Sequence, residues 1–259
     1  MRIKQCEMTL SLRQRKDFNS FIDKYSFKKY KDKNAPVVFY SLWKFRLLQK
    51  HRAMVIVVWR GSDILKMRSR LKEIKKMKNV YHVAISSFIA KDLEEFDIKY
   101  KFIPLAGKKI DDFKLCPLGE EIYTYVPNIH PKYFKRYGGS VLEKIQKKCK
   151  YKINISRSST YYKMEKLRKI YERCFCGLRL TKHDGLPNQV IEMGVMGRRT
   201  IYNGDIPGSI SWNKNNIDEI IKNIDIESQK IGTINYEVSN NIKNFIDVKN
   251  DWLDTKFWK

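Results

Sequence analysis

Residues 176–197 read Cys176-Gly-Leu-Arg-Leu-Thr-Lys-His-Asp184-Gly185-Leu186-Pro187-Asn188-Gln189-Val-Ile-Glu192-Met-Gly-Val-Met-Gly197, an apolar run, a polar turn and a helix. Leu178 to Thr181 end a buried strand, His183-Asp184-Gly185 make the turn, and Pro187, with its fixed φ, suits the first helical position. Backbone N–H groups near Leu186, Asn188 and Gln189 then point at whatever lies before the helix, which favours a phosphate. Glu192 follows about one and a half helical turns later, within reach of hydroxyls on the same ligand. A phosphate and a diol held side by side describe a nucleotide.

Asp184-Gly-Leu-Pro-Asn-Gln-Val-Ile-Glu192 resembles the paired-acid signature of GT-B glycosyltransferases of the glycosyltransferase 4, or group 1, type. The resemblance implies that Glu192 binds the ribose hydroxyls of a nucleotide-sugar and that Asp184 contacts the transferred sugar. The Gly185-Leu186-Pro187-Asn188 turn would take the diphosphate. The family's first acid is usually Glu, so Asp184 is a departure with a shorter reach. Two upstream stretches are similar to family segments in the family's order. Ala53-Met-Val-Ile-Val-Val-Trp-Arg60-Gly-Ser-Asp63 matches a strand ending in His-Gly-Ser-Asp, with Arg60 where His is common. Tyr81 to Pro104 matches the strand, Ser-capped helix and strand that close the N-terminal domain. The implied fold is α/β, two Rossmann-like doubly wound domains facing each other across a cleft.

Periodicity supports that fold independently. Strands are expected at 36–41, 53–59, 82–86 and 100–104, with helices near 43–51, 64–78 and 87–96. A second set of strands near 121–126, 151–156, 175–180 and 199–203 alternates with helices near 133–149, 161–173, 187–196 and 216–230. Such alternation builds parallel sheets whose carboxyl ends hold ligands. The division expected is 1–108, a reduced basic acceptor domain; 109–235, a nucleotide-sugar domain; and 236–259, a terminal helix packing back on the first. Residues 1–35 lack the apolar strand and Gly-rich turn that open the family fold, and helices over a shortened sheet are expected there.

At 259 residues and 42% hydrophobic content the chain can fill two small cores. Its longest apolar run, Ala53 to Trp59, has seven residues, against roughly 20 for a membrane span. Met1-Arg-Ile-Lys-Gln-Cys-Glu lacks the apolar region of a signal peptide. Five cysteines without a staple-like pattern point to buried thiols in a reducing compartment, hence a cytoplasmic location, with peripheral membrane contact as the variant. Four scattered histidines give no metal-ligand cluster.

Charge adds a partner. Lys and Arg total 53 against 28 acids, a net +25. Residues 1–80 hold 22 basic and 6 acidic side chains, a net +16, and this is where the resemblance places the acceptor. Such a field attracts a polyanion. Ile64, Met67, Leu71, Ile74 and Met77 repeat at helical spacing beneath a cationic face that includes Arg68, Arg70, Lys72, Lys75 and Lys76, the expected acceptor-binding set; such a helix suits phosphates or a lipid surface. Tyr25, Tyr30, Tyr40 and Trp43 interleave with lysines in a pattern suited to stacking on bases. On the donor side, Lys132, Lys135, Arg136, Arg157 and Lys182 are candidates for the diphosphate, and Arg60 for the transferred sugar across the cleft.

The function expected is a retaining, metal-independent glycosyltransferase using a UDP- or GDP-linked sugar, with no further cofactor. The favoured acceptor is a hydroxylated base in DNA. One alternative is a membrane-surface enzyme making lipid-linked or cell-surface glycan; another is an inactive nucleic-acid-binding module.

Overall fold

The computed structural model describes residues 1–8, 16–106, 110–127, 131–157 and 162–258, apart from the side chains of 16–20 and 132. It divides into two compact units, Met1–Lys109 with His183–Leu186 and Ile246–Lys259, and Ile110–Lys182 with Pro187–Phe245.

Unit 1 is built on six parallel strands, β1 (Gln5–Met8), β2 (Lys28–Lys29), β3 (Val37–Tyr40), β4 (Val55–Trp59), β5 (Val80–Ala84) and β6 (Lys101–Phe102), in the order β2-β1-β3-β4-β5-β6. All five side chains of β4 are buried, which is why Val-Ile-Val-Val-Trp reads as a continuous apolar run rather than an alternating one. Burying each is worth about 1.5–3 kcal/mol. The helices are α1 (Lys16–Tyr25), α2 (Phe45–Lys50), α3 (Ser62–Met67), α4 (Leu71–Lys75) and α5 (Ser87–Glu94). At the end of the chain, Trp252 sits buried with its ring edge-on to Tyr25, centroids 5.4 Å apart.

Four expectations for this unit are corrected. The first 35 residues do contain a strand, since β1 lies inside the sheet between β2 and β3. The single helix expected over 64–78 is α3 and α4 separated by a 3-10 turn at Arg68–Arg70. Of its stripe residues, Ile64, Met67, Leu71 and Ile74 are buried in the core and Met77 is half-buried. Tyr25 and Tyr40 are buried too and present no ring for stacking.

Unit 2 carries five parallel strands, β7 (Glu121–Tyr125), β8 (Ile153–Ser156), β9 (Cys174–Leu178), β10 (Arg199–Ile201) and β11 (Ser209–Ile210), in the order β11-β10-β9-β7-β8. Its helices are α6 (Pro131–Arg136), α7 (Gly139–Lys148), α8 (Met164–Glu172), α9 (Asn188–Val195), α10 (Ile217–Ser228) and α11 (Tyr236–Ile246). Ile122, Phe175, Cys176, Leu178, Ile201, Ile220 and Ile224 form its core. The helix expected over 133–149 is split between α6 and α7 at Gly138, whose φ of 77° favours glycine and where a side chain would collide with the Leu180 carbonyl.

Both sheets wind the same way. The second strand lies on one side of the first and the third on the other, and later strands follow outward. The winding reverses between β1 and β3 in unit 1 and between β7 and β9 in unit 2, and doubly wound sheets bind ligands at the carboxyl ends of such strands.

Arg198 holds the lower part of unit 2 together. Its guanidinium, 1% exposed, donates to the backbone carbonyls of Tyr171, Cys174, Cys116, Pro117, Glu172 and Met196. Carbonyls from 116–117, 171–174 and 196 thus converge on one side chain, Cys174 O also accepting from Gly119 N at 3.2 Å.

Candidate functional site

At the reversal of the unit 2 sheet, the Thr124 hydroxyl of β7 donates to the Leu178 carbonyl of β9 at 2.9 Å. Arg179 leaves β9 immediately afterwards, buried, with its guanidinium carbon 5.1 Å from the Tyr137 ring centroid and 6.0 Å from that of Tyr125. A cation lodged among aromatic rings at the carboxyl end of a central strand is placed to meet an anion. Sequence reasoning passed over Arg179; the signal was an arginine directly after an apolar parallel-strand run.

Pro187 takes the N-cap of α9 with extended ψ of 121°, one place before the expected first helical position, because its carbonyl must accept from Val190 N and Ile191 N. Asn188 and Gln189 thus open the helix, and N–H groups at that position have no intrahelical acceptor. The Gln189 side chain donates to the Leu178 carbonyl at 3.1 Å and so fastens the start of α9 to β9. Glu192, 2% exposed, accepts a hydrogen bond from the Tyr171 hydroxyl at 3.1 Å on Oε2. The Tyr171 ring meets Tyr123 edge-on at 4.8 Å. Burial first, then the Glu192 charge, raises Tyr171 well above the usual phenol range. Burial pushes Tyr123 up to about 12, the Ser156 hydrogen bond lowering it and the Glu192 charge raising it. Both phenols are therefore proton donors at neutral pH, and the carboxylate they surround is an oriented acceptor.

In unit 1 the 53–63 and 81–104 stretches meet the turn at 183–186. Asp63, fully buried, accepts from the backbone N–H of Arg60 at 2.9 Å and of Leu42 at 3.1 Å, pinning the turns after β4 and β3 together. Burial raises its pKa, and the Arg60 amide and guanidinium pull it back down. The Arg60 guanidinium lies over the Tyr40 ring, 4.8 Å from its centroid. Ser86 caps α5 by accepting from Ile89 N and donates its hydroxyl to the Asp184 carbonyl at 3.2 Å. The Asp184 carboxylate folds onto its own turn, accepting from Gly185 N at 2.9 Å. A side chain at Gly185 would collide with the Arg60 carbonyl, so only glycine lets this turn sit on the Arg60–Gly61 backbone. Beside it His183 Nε2 stands 2.7 Å from Asp92, which also holds Arg68 at 3.2 Å.

The expected acceptor set is mostly engaged within its own unit. Arg68 pairs with Asp92 and Glu95, Arg70 with Glu73 and Lys75 with Asp97, while Lys72 and Lys76 are exposed. Of the expected donor cations, Arg136 is half-buried on α6, Arg157 follows β8 and Lys182 is exposed after β9. The Lys132 side chain lies outside the described residues. Gly185 and Leu186 are buried in unit 1, Pro187 and the half-buried Asn188 in unit 2. Among the described residues no group of three or more His, Cys, Asp or Glu side chains is arranged to hold a metal ion, and the five cysteines are unbridged thiols. No helix among the described residues is long and apolar enough to cross a membrane.

No protein-family model matches the chain, and a search of curated proteins finds no match. Solved structures do resemble it. Sucrose-phosphate synthase from Thermosynechococcus elongatus superposes with a TM-score of 0.61 at 12% identity, over 88% of this chain and 72% of that one. TarM superposes with a TM-score of 0.59 at 11% identity, over 92% of this chain and 56% of its own. A variant of S. aureus TarM, in complex with fondaparinux, alpha-GlcNAc-glycerol and UDP, gives 0.57 at 11%, over 92% and 57%. These neighbours are glycosyltransferases of GT-B fold, and the chain shares that fold. It spans a little over half the length of TarM.

Proposed function

We propose that the chain is a glycosyltransferase that moves a sugar from a UDP- or GDP-linked donor to a hydroxyl on a polyanionic acceptor, with retention and without a metal. The observation that carries this reading is Glu192, a buried carboxylate oriented by Tyr171 about one turn into a helix whose start is fastened to the end of β9 by Gln189. Glu192 is read as the acceptor for the ribose hydroxyls, and Gly185 to Asn188 with Arg179 as the diphosphate contacts. Arg136, Arg157, Lys182 and Lys132 are the remaining donor candidates. Asp184 and Arg60 are read as contacts of the transferred sugar. The UDP in the TarM complex supports a uridine donor.

In the reaction the bond from the anomeric carbon to the diphosphate breaks and one to the acceptor oxygen forms. The acceptor proton leaves with the diphosphate. The helix amides and arginine stabilise the charge that develops on the leaving group, a contribution typically worth several kcal/mol in the transition state. Retention and metal independence rest on the resemblance in the motif, and unchanged turnover in EDTA is the result expected.

The acceptor favoured is a hydroxylated base in DNA, supported by the net +16 of the first 80 residues. Burial of Ile64, Met67, Leu71 and Ile74 leaves the membrane-surface alternative with less support from this segment. Incubation with a panel of nucleotide-sugars, with duplexes carrying hydroxymethylated bases and with anionic vesicles, tests both halves. Released UDP or GDP and a mass increase of one sugar on the nucleoside are expected. Release with none of the donors would favour the binding-module reading instead.

A further inference from the structure

A cavity of about 680 Å³ opens in unit 1 among residues that none of the roles above uses. Its wall is mostly apolar surface, and Arg2, Lys4, Gln5, Lys28, Lys29 and Lys31 contribute to it. The five cations are exposed, and among the described residues none of them forms an ion pair. The adjacent acid, Asp32, turns its carboxylate to Asn34 N at 2.8 Å. The contrast with the 64–78 segment is direct, since there Arg68, Arg70 and Lys75 are each matched by a carboxylate.

The cavity is also built. Gln5, 8% exposed, donates from Nε2 to the carbonyls of Asp32 and Ala35 at 2.6 and 2.8 Å. Its Oε1 accepts from Lys31 N and Asp32 N, both at 3.3 Å. One buried amide therefore fixes the loop that carries Lys31, and the parallel register of Gln5 with Lys28 and Cys6 with Lys29 places the other lysines beside it. Lysines on an edge strand discourage sheet-to-sheet pairing, which accounts for Lys28 and Lys29. It does not account for Arg2, Lys4 and Lys31. The Met1 amino group, which also lines the cavity, is paired with Asp254 at 3.5 Å; the five side-chain cations repel one another, and an anion in their midst relieves that repulsion.

We propose that the five cations around this cavity are the polyanion-binding site of the chain, and that they take a phosphodiester strand of DNA. The cavity lies at the amino end of β1, whereas Gly61 and Ser86 follow the carboxyl ends of β4 and β5, about 15 Å away along the strands. The site thus anchors a polymer at a distance from the reacting group. The inference rests on the polyanion part of the proposed function, and DNA binding needs no donor, so a failure of nucleotide release leaves the binding result standing.

The test is fluorescence anisotropy of a labelled 16-nucleotide DNA strand over a salt series. K28E/K29E/K31E is compared with K72E/K75E/K76E, which changes the net charge equally. The cavity variant is expected to bind at least about tenfold more weakly and to lose about 2–3 from the log-log salt slope; the other is expected to lose less than about threefold. K28Q/K29Q/K31Q, with thermal melts matching the wild type, is expected to weaken binding in the same direction. Equal losses in the two charge-reversed variants, a larger loss in the second, no binding by the wild type, or capture of phosphatidylglycerol vesicles in place of DNA would each overturn the proposal.

Discussion

The Tyr171 hydroxyl donates to Glu192 Oε2 at 3.1 Å, inside unit 2, so the end of α8 sets the direction of a carboxylate on α9. Without that donor a buried carboxylate loses a charge-assisted hydrogen bond, a cost of about 1–3 kcal/mol. Tyr171→Phe keeps the ring contact with Tyr123 and removes only the hydroxyl. A donor KM raised about tenfold is expected, with kcat less affected and a lower melting midpoint. Initial rates over a donor series, with thermal melts alongside, check it; unchanged values of both would remove Tyr171 from the account.

Gly185 supplies a second handle, because any side chain there meets backbone rather than a flexible side chain. Gly185→Ala must displace the turn from the Arg60 carbonyl, with overpacking strain of about 1–3 kcal/mol. Nucleotide release is expected to fall at least about tenfold while the circular dichroism spectrum stays that of the wild type. A variant with full activity would show that the seating of this turn is irrelevant.

The parts of the fold that could be read directly are those whose signal lies within one short run of residues. Val55–Trp59 and Cys174–Leu178 are continuous apolar runs, and a buried parallel strand has few other forms. β1 was hidden because Gln5 and Glu7 alternate with Cys6 and Met8 in a basic stretch. Gln5 is buried only because loop backbone 26 to 30 residues later satisfies its amide. The break at Arg68–Arg70 has a similar origin, since the partners of Arg68 lie 24 and 27 positions on. At the site, the Asp184-to-Glu192 pattern is local and could be read. Tyr171 and Arg179 become neighbours of interest only once the strand order places β9 beside β7.

His82 gives a pH prediction for stability. It is buried on β5, accepts from Trp59 Nε1 at 3.1 Å on Nδ1, and burial depresses its pKa from 6.5 to about 4. The folded protein holds the neutral ring, while the unfolded chain takes up a proton below 6.5. Its contribution is therefore complete above pH 6.5 and is lost as pH falls toward 4. His82→Gln retains an acceptor without titrating. In urea unfolding from pH 7 to 4.5, the wild type is expected to lose about 2–3 kcal/mol more than this variant. Parallel curves would refute the assignment.

Arg198 predicts a structural failure rather than a catalytic one. Arg198→Lys keeps the charge but has one nitrogen in place of three, so several of the six carbonyls lose their donor. Cys174 O keeps its bond from Gly119 N, and at about 1–3 kcal/mol for each buried group left unsatisfied the change is a large fraction of a domain's stability. Insoluble protein, or a melting midpoint lowered by more than about 10 °C, is expected on expression. A soluble variant with a wild-type melt would contradict this role.

The central claim is that Glu192 belongs to a nucleotide-sugar site, and release of UDP or GDP from a donor panel by wild type and Glu192→Gln tests it most directly. The account predicts release from at least one donor by the wild type and a fall of at least about a hundredfold in the variant, whose fold is checked by its melt. No release from any donor, or equal release by a folded Glu192→Gln, would contradict it.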